Sequence, residues 1–175
     1  MSFRVLSLDI ATTTGWATTF GQARRNFKYG LIKTSPKLSE PQRLAYFRNE
    51  IIKLLLEFRP THVVIEDIYA GININTMKLL AKFAGVVEEC CVTIAGIDPY
   101  IIHTSTVKAY FKAKNKRQLF NFMIELLDWE NDDKIKFTKH NDIVDAIAQL
   151  LVYYHKVLSV RSFRTEKDYG YLYEL

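Results

Sequence analysis

VLSLDIATTTGWA, residues 5–17, is the stretch on which the fold turns. Val5, Leu6, Leu8 and Ile10 form an apolar run that reads as a strand buried on both faces. Asp9 interrupts that run near its end, and three threonines and Gly15 follow. Taken alone, these residues fit two readings. Either the loop after the strand cradles a nucleotide phosphate, or Asp9 holds a metal ion.

The neighbouring sequence supplies the frame. The first strand reads over residues 3–11, and shorter strands follow over 16–20 and 27–33, with Gly15, Gly21 and Gly30 nearby. A three-stranded meander results. Residues 35–60 form an amphipathic helix in which Leu44, Phe47, Ile51, Leu55 and Phe58 recur at helical spacing, and Pro60 follows its end. THVVIEDI, residues 61–68, is a second strongly apolar strand with an acid near its end. A long helix covers 75–94, and PYIIHTS, residues 99–105, is a third core strand. Helices over 106–111, 116–128 and 141–158 complete the set. From Val160 onward the chain is polar and aromatic without periodicity. The order β-β-β-α-β-α-β-α-α predicts an α/β fold, a mixed sheet with helices on both faces. The first, fourth and fifth strands are expected to be parallel because helices connect them.

Bulk properties narrow the classes. The 175 residues suit one domain over 1–175, with a core at about 3–158 and a tail at 159–175. Hydrophobic residues at 49% exclude a disordered chain, and a net charge of +5 leans toward an anionic partner. The adjacent Cys90 and Cys91 form no disulfide framework and read as core thiols in a reducing cytoplasm. The start of the chain lacks signal-peptide organisation, and no apolar run approaches the roughly 18 residues of a membrane span. A cytoplasmic protein is expected.

The acids carry the chemistry. Asp9 and Glu66 each end an apolar strand, and on neighbouring strands both would stand at the edge where open α/β sheets place ligands. Two carboxylates about 5 Å apart repel by roughly 3 kcal/mol at an effective dielectric of 20, so such a pair needs a proton or a cation. In HNDIVDAIAQLL, residues 140–151, Asp142 and Asp145 are three apart and adjoin on a helix. They are expected in its first turn, where the helix dipole favours an acid by about 0.3–1 kcal/mol. With Asp9 and Glu66 they make four hard oxygen donors, a set suited to Mg²⁺ or Mn²⁺. No Cys/His spacing suggests zinc. Between Lys108 and Arg117 the chain places Lys112, Lys114 and Lys116, interleaved with Tyr110 and Phe111. Basic charge with exposed aromatics suits a DNA backbone; a solvated face over core aromatics is the alternative.

These pieces in this order, LDIATTTGWA, VVIEDIY and DIVDAIA, resemble the RuvC-type Holliday-junction resolvases of the RNase H-like superfamily. The resemblance spans residues 3–156. It implies an RNase H-like sheet of strand order 3-2-1-4-5 and a metal-dependent endonuclease acting on four-way or branched DNA junctions with two Mg²⁺ or Mn²⁺ ions. It matches Asp9, Glu66, Asp142 and Asp145 to the family's acidic tetrad, with Asp9 bridging the metals. Lys108 and Lys116 match basic residues serving the DNA and the scissile phosphate, and Tyr69 matches an aromatic inserted at the branch point. His140, beside Asp142, reads as a loop residue or as a group acting on the leaving group or a metal. Two symmetric cuts imply a homodimer, with the 75–94 helix as candidate interface. The chain departs from the bacterial pattern where Ile10 and Ala11 replace the usual Pro-Gly, and its loop between the lysine motifs is short and lacks glycine. A divergent, phage-type branch is expected.

Three alternatives stand beside this reading. A sugar-kinase or actin-like ATPase shares a similar first strand and turn but needs a duplicated domain and more than seven glycines. A non-catalytic junction binder gains nothing from four acids that repel phosphate. Another RNase H-like nuclease, a ribonuclease or transposase-like enzyme, would use the same acids.

Overall fold

Strand β1 (Val5–Asp9) is buried along its whole length and lies at the centre of a five-stranded sheet. The computed structural model describes residues 3–19, 27–68, 73–129, 132 and 135–159. The other strands are β2 (Thr13–Thr19), β3 (Phe27–Lys33), β4 (His62–Glu66) and β5 (Tyr100–Ile102), in the order β3-β2-β1-β4-β5. β1 runs antiparallel to β2 and parallel to β4, and β4 runs parallel to β5. The expected mixed sheet and strand order are therefore present.

Alternation along the strands divides the molecule into two cores. Leu6, Leu8, Val63 and Ile65 face α1 (Glu40–Phe58) and α2 (Ile74–Cys90), meeting Phe47, Ile51, Phe83 and Val87. There the Phe47 and Phe83 rings stack with centroids 4.4 Å apart. Val5 and Val64 face the opposite way, onto α3 (Thr104–Tyr110), α4 (Lys116–Leu126) and α5 (Phe137–Lys156). Every residue of α5 from Ile143 to Tyr154 is buried, so this helix forms the spine of the second core.

Local chemistry explains where elements begin and end. Gln42 Oε1 accepts from the Ser39 N–H at 2.9 Å, one half of a capping box at the start of α1. That helix stops at Arg59, which takes a left-handed φ of 43°, and Pro60 blocks continuation. At α4, Asn115 Oδ1 accepts from Gln118 N–H at 2.9 Å while Gln118 Oε1 accepts from Lys114 N–H at 2.8 Å.

Most elements are a few residues shorter or offset from expectation, α1 starting at Glu40 rather than 35, and three of the differences have a local cause. β2 starts at Thr13 rather than 16, because the threonines tie the preceding turn. Thr14 Oγ1 donates to the Ala11 carbonyl at 2.8 Å, and Thr34 Oγ1 donates to that of Thr12 at 3.1 Å. α2 ends at Cys90 and gives way to one π turn, Cys91–Ala95, before Gly96 at φ 66°. Thr93 Oγ1 takes the Glu89 carbonyl at 2.8 Å there. Finally, α5 begins at Phe137, not 141. Phe137 is anchored edge-on to Phe120, and His140 Nδ1 accepts from the Lys136 N–H at 3.0 Å. Asp142 and Asp145 thus lie well inside the helix, where a dipole effect that fades after the first turn does not account for them.

Candidate active site

Asp9 and Glu66 arrive at the same sheet edge by register and parity. Leu8 pairs with Ile65, and one further step sets Asp9 beside Glu66. Asp9 shares its face with Val5 and Ser7, and Glu66 shares its face with Val64, so both carboxylates point toward α5. Parallel pairing puts both at the C-terminal ends of their strands.

α5 delivers the other acids through an unusually close backbone approach. Gly15 is the cross-strand partner of Asp9. A Cβ on Gly15 would stand 2.0 Å from the Asp142 carbonyl oxygen, so only glycine lets α5 rest directly on β2. Asp145 is then buried beside Asp9 and Glu66, while Asp142 stays half-buried at the rim, its Oδ1 accepting from Asn141 Nδ2 at 2.7 Å. Lys116, at the start of α4, reaches in with its Nζ 2.7 Å from Asp145 Oδ2.

The electrostatics follow from crowding. Burial, then the charge of Glu66 and the close approach of its carboxylate, then the charge of Asp145 raise the Asp9 pKa well above the ordinary aspartate range, with Lys116 opposing. Burial raises that of Asp145 against the pull of Lys116, with Glu66 and Asp142 adding to the rise. Burial also raises that of Asp142, with Lys116 and Asn141 opposing. Desolvation works against the Lys116 charge, but Asp9, Asp145 and Glu66 outweigh it and lift its pKa above the ordinary lysine range. Lys116 is thus the internal cation of the cluster. Among the described residues no three potential ligands form a ready-made metal cage. The donor set nevertheless fits a hard divalent cation. Asp9 Oδ2 is buried and finds no hydrogen-bond donor among the described residues, a costly arrangement that a cation would relieve.

The expected DNA-contacting residues divide. Lys108 lines a cleft with Glu66, Thr104, Lys116, Asp145 and Gln149. Lys112 and Lys114 are exposed between α3 and α4. Arg117 is exposed but lays its guanidinium 4.8 Å over the Phe137 ring. Tyr110 and Phe111 are not exposed aromatics: they are 8% and 5% accessible and pack on His155 and Phe122. The short α3 has one side to bury, and these rings fill it. Tyr69 lies outside the described residues. His140 is not in a loop; its ring caps its own helix. Cys90 and Cys91 are buried, and burial pushes their thiols up to about 11 and about 12, so they stay protonated at neutral pH.

Three residues at the centre lay outside the sequence-based expectations. Gln149, 1% exposed, donates through Nε2 to Glu66 Oε2 at 2.8 Å and accepts from Ser7 Oγ at 3.2 Å. Thr104 Oγ1 donates to Glu66 Oε1. The available signal was a lone Gln one turn beyond Asp145 on an otherwise apolar helix.

Comparison with known proteins adds the following. The family profile described as Crossover junction endodeoxyribonuclease RuvC matches residues 10–155. The Crossover junction endodeoxyribonuclease RuvC of Syntrophomonas wolfei is 26% identical over 159 residues, 87% of this chain and 88% of that protein. The same-named protein of Alkaliphilus metalliredigens is 30% identical over 134 residues, 73% of this chain and 76% of that one. Among solved structures, T. thermophilus RuvC in complex with a Holliday junction substrate has a similar fold. The TM-score is 0.70 at 16% identity, covering 90% of this chain and 97% of that one.

Proposed function

The chain belongs to the RuvC family of crossover junction endodeoxyribonucleases, and on that premise we propose that it cuts four-way DNA junctions at the acidic centre of Asp9, Glu66, Asp142 and Asp145. One observation carries this reading. A buried Asp9 carboxylate, one oxygen of which meets no donor among the described residues, stands among Glu66, Asp145 and Lys116 at the C-terminal ends of two central parallel strands. That concentration of negative charge is unfavourable for DNA unless a cation is present.

The four carboxylates would hold Mg²⁺ or Mn²⁺, two ions per site. Bound there, such ions lower the pKa of the attacking water and stabilise the departing oxygen in an in-line displacement. The chain's own groups do the rest. Asp9 and Glu66 are fixed by the sheet, so their positions need no reorganisation when substrate arrives. Lys116 balances the acids before substrate binds and is free to turn to the scissile phosphate afterwards. Lys108 in the cleft, with the exposed Lys112, Lys114 and Arg117, neutralises the DNA backbone. Tyr69, matched by the family resemblance to an aromatic inserted at the branch point, would serve the same role here. The whole chain acts as one nuclease domain. A twofold homodimer supplies the second cut, and the outer face of α2, where Ile74 is 59% exposed, is its candidate surface. Among the described residues no helix is long and apolar enough to cross a membrane.

The test is cleavage of a synthetic four-way junction beside linear duplex and an RNA/DNA hybrid in Mg²⁺ or Mn²⁺, with sedimentation of the free protein. Paired symmetric nicks confined to the junction, and a mass of two chains, are expected. Equal cutting of the hybrid without symmetric nicking would point to another RNase H-like nuclease and overturn the junction assignment. Lys116→Met is expected to slow cutting by about 10²-fold or more while junction binding by gel shift is retained. Unchanged turnover would return Lys116 to a surface role.

A further inference from the structure

We propose that Thr104 and Gln149 are positioning residues that fix the Glu66 carboxylate by both of its oxygens and so set the cation affinity of the acidic centre. This rests on reading that centre as a cation site. Thr104 opens α3, directly after β5, and its hydroxyl donates to Glu66 Oε1. Gln149 comes from the opposite side, on α5, and donates to Oε2 at 2.8 Å. The amide orientation follows from its partners. With Nε2 donating to Glu66, the amide oxygen is left to accept from Ser7 Oγ at 3.2 Å. Ser7 stands on β1 two residues before Asp9, on the same face. The chain of bonds therefore ties the last residue of β4 to β1 through α5, and to β5 through α3.

Each carboxylate oxygen offers two lone-pair directions. The clamp occupies one on each oxygen and leaves the other on each for a cation. It also settles the Glu66 rotamer during folding, so that no side-chain freedom is lost when the ion arrives. Hydrogen-bond partners of ligating groups commonly change metal affinity by about 10–100-fold when removed. Gln149 is almost fully buried within an apolar stretch of α5, where a polar side chain is disfavoured unless every bond it makes is satisfied.

The experiment is a Mn²⁺ titration of the full chain without DNA, read by electron paramagnetic resonance of the free ion, with melting curves of the same samples in chelator. Wild type is expected to bind and Asp9→Asn to lose that binding. Thr104→Val, which keeps the shape and removes the hydroxyl, should weaken binding by about 10–100-fold with the metal-free melting temperature little changed. Thr104→Ser should recover it, and Gln149→Met should behave as Thr104→Val. Wild-type affinity in Thr104→Val and in folded Gln149→Met would overturn the clamp while leaving the cation centre standing. Binding that is absent from wild type, or indifferent to Asp9→Asn, would overturn the cation centre and the clamp with it.

Discussion

The Asp9→Asn protein is expected to melt at a higher temperature than the native chain in chelator at neutral pH, and to cut junctions at least about a thousandfold more slowly, ~4 kcal/mol of barrier. Both effects have one origin. Burial, Glu66 and Asp145 all oppose a negative charge on the Asp9 carboxyl group. Asparagine keeps the shape, removes the charge and donates to its neighbours. The pH dependence has a definite sign. Asp9, Asp145 and Asp142 all have folded-state pKa values raised above the unfolded ones. Between those values the folded chain binds more protons than the unfolded chain. Its stability in chelator is thus greatest below the unfolded aspartate value and falls as pH rises through the folded values. Asp9→Asn is expected to flatten that fall, and Mg²⁺, if held by the acidic centre of the folded form alone, to restore the native chain at neutral pH. Thermal melts from pH 4 to 8, with and without Mg²⁺, check the set. A variant that melts no higher than native in chelator would remove the charge strain from Asp9.

Gly15→Ala carries the second large effect, and here stability and activity fall together. The added carbon would lie 2.0 Å from the Asp142 carbonyl oxygen and 2.2 Å from its carbon, both backbone atoms of a buried helix. Non-bonded contact needs more than 3 Å, so α5 must shift by about 1 Å, and overpacking of this kind costs about 1–3 kcal/mol. For a chain of this size that is a loss of roughly 2–4 °C per kcal/mol. The shift moves Asp142 and Asp145 away from Asp9 and Glu66, and a 1 Å misplacement can cost about 10²-fold in rate. Gly30→Ala is the natural comparison, because its added carbon meets the Trp16 ring, a side chain that can turn. Urea melts and junction cleavage on both variants test this. Native cutting by Gly15→Ala would show that α5 does not depend on the close approach.

Much of the frame was legible in the sequence because it rests on local signals. Apolar runs marked β1, β4 and β5, short segments with glycines nearby marked β2 and β3, helical spacing marked α1, and an acid at the end of each of two buried runs marked the candidate site. The strand order came through the family resemblance. What escaped had non-local causes. The start of α5 depends on Phe137 meeting Phe120 across the chain, so the polar residues after Phe137 read as a loop. Tyr110 and Phe111 looked available to DNA because their burial is decided by α5 and α4. The hydrogen bonds on Glu66 join residues 38 and 83 positions away, and no spacing rule announces them. The threonines of the first turn were visible but uninterpretable until their carbonyl partners were known.

The division of the interior into two cores by a single sheet bears on how this protein can change. Every group of the acidic centre belongs to the α3–α4–α5 side, because period-two alternation sends Asp9 and Glu66 there and sends Leu8 and Ile65 the other way. Substitutions among Phe47, Ile51, Phe83 and Val87 reach the site only by moving whole strands. That half can therefore drift, or be redesigned for stability, with little functional consequence. The half behind it has almost no latitude, since one helix there is at once the core and the carrier of Asp142 and Asp145.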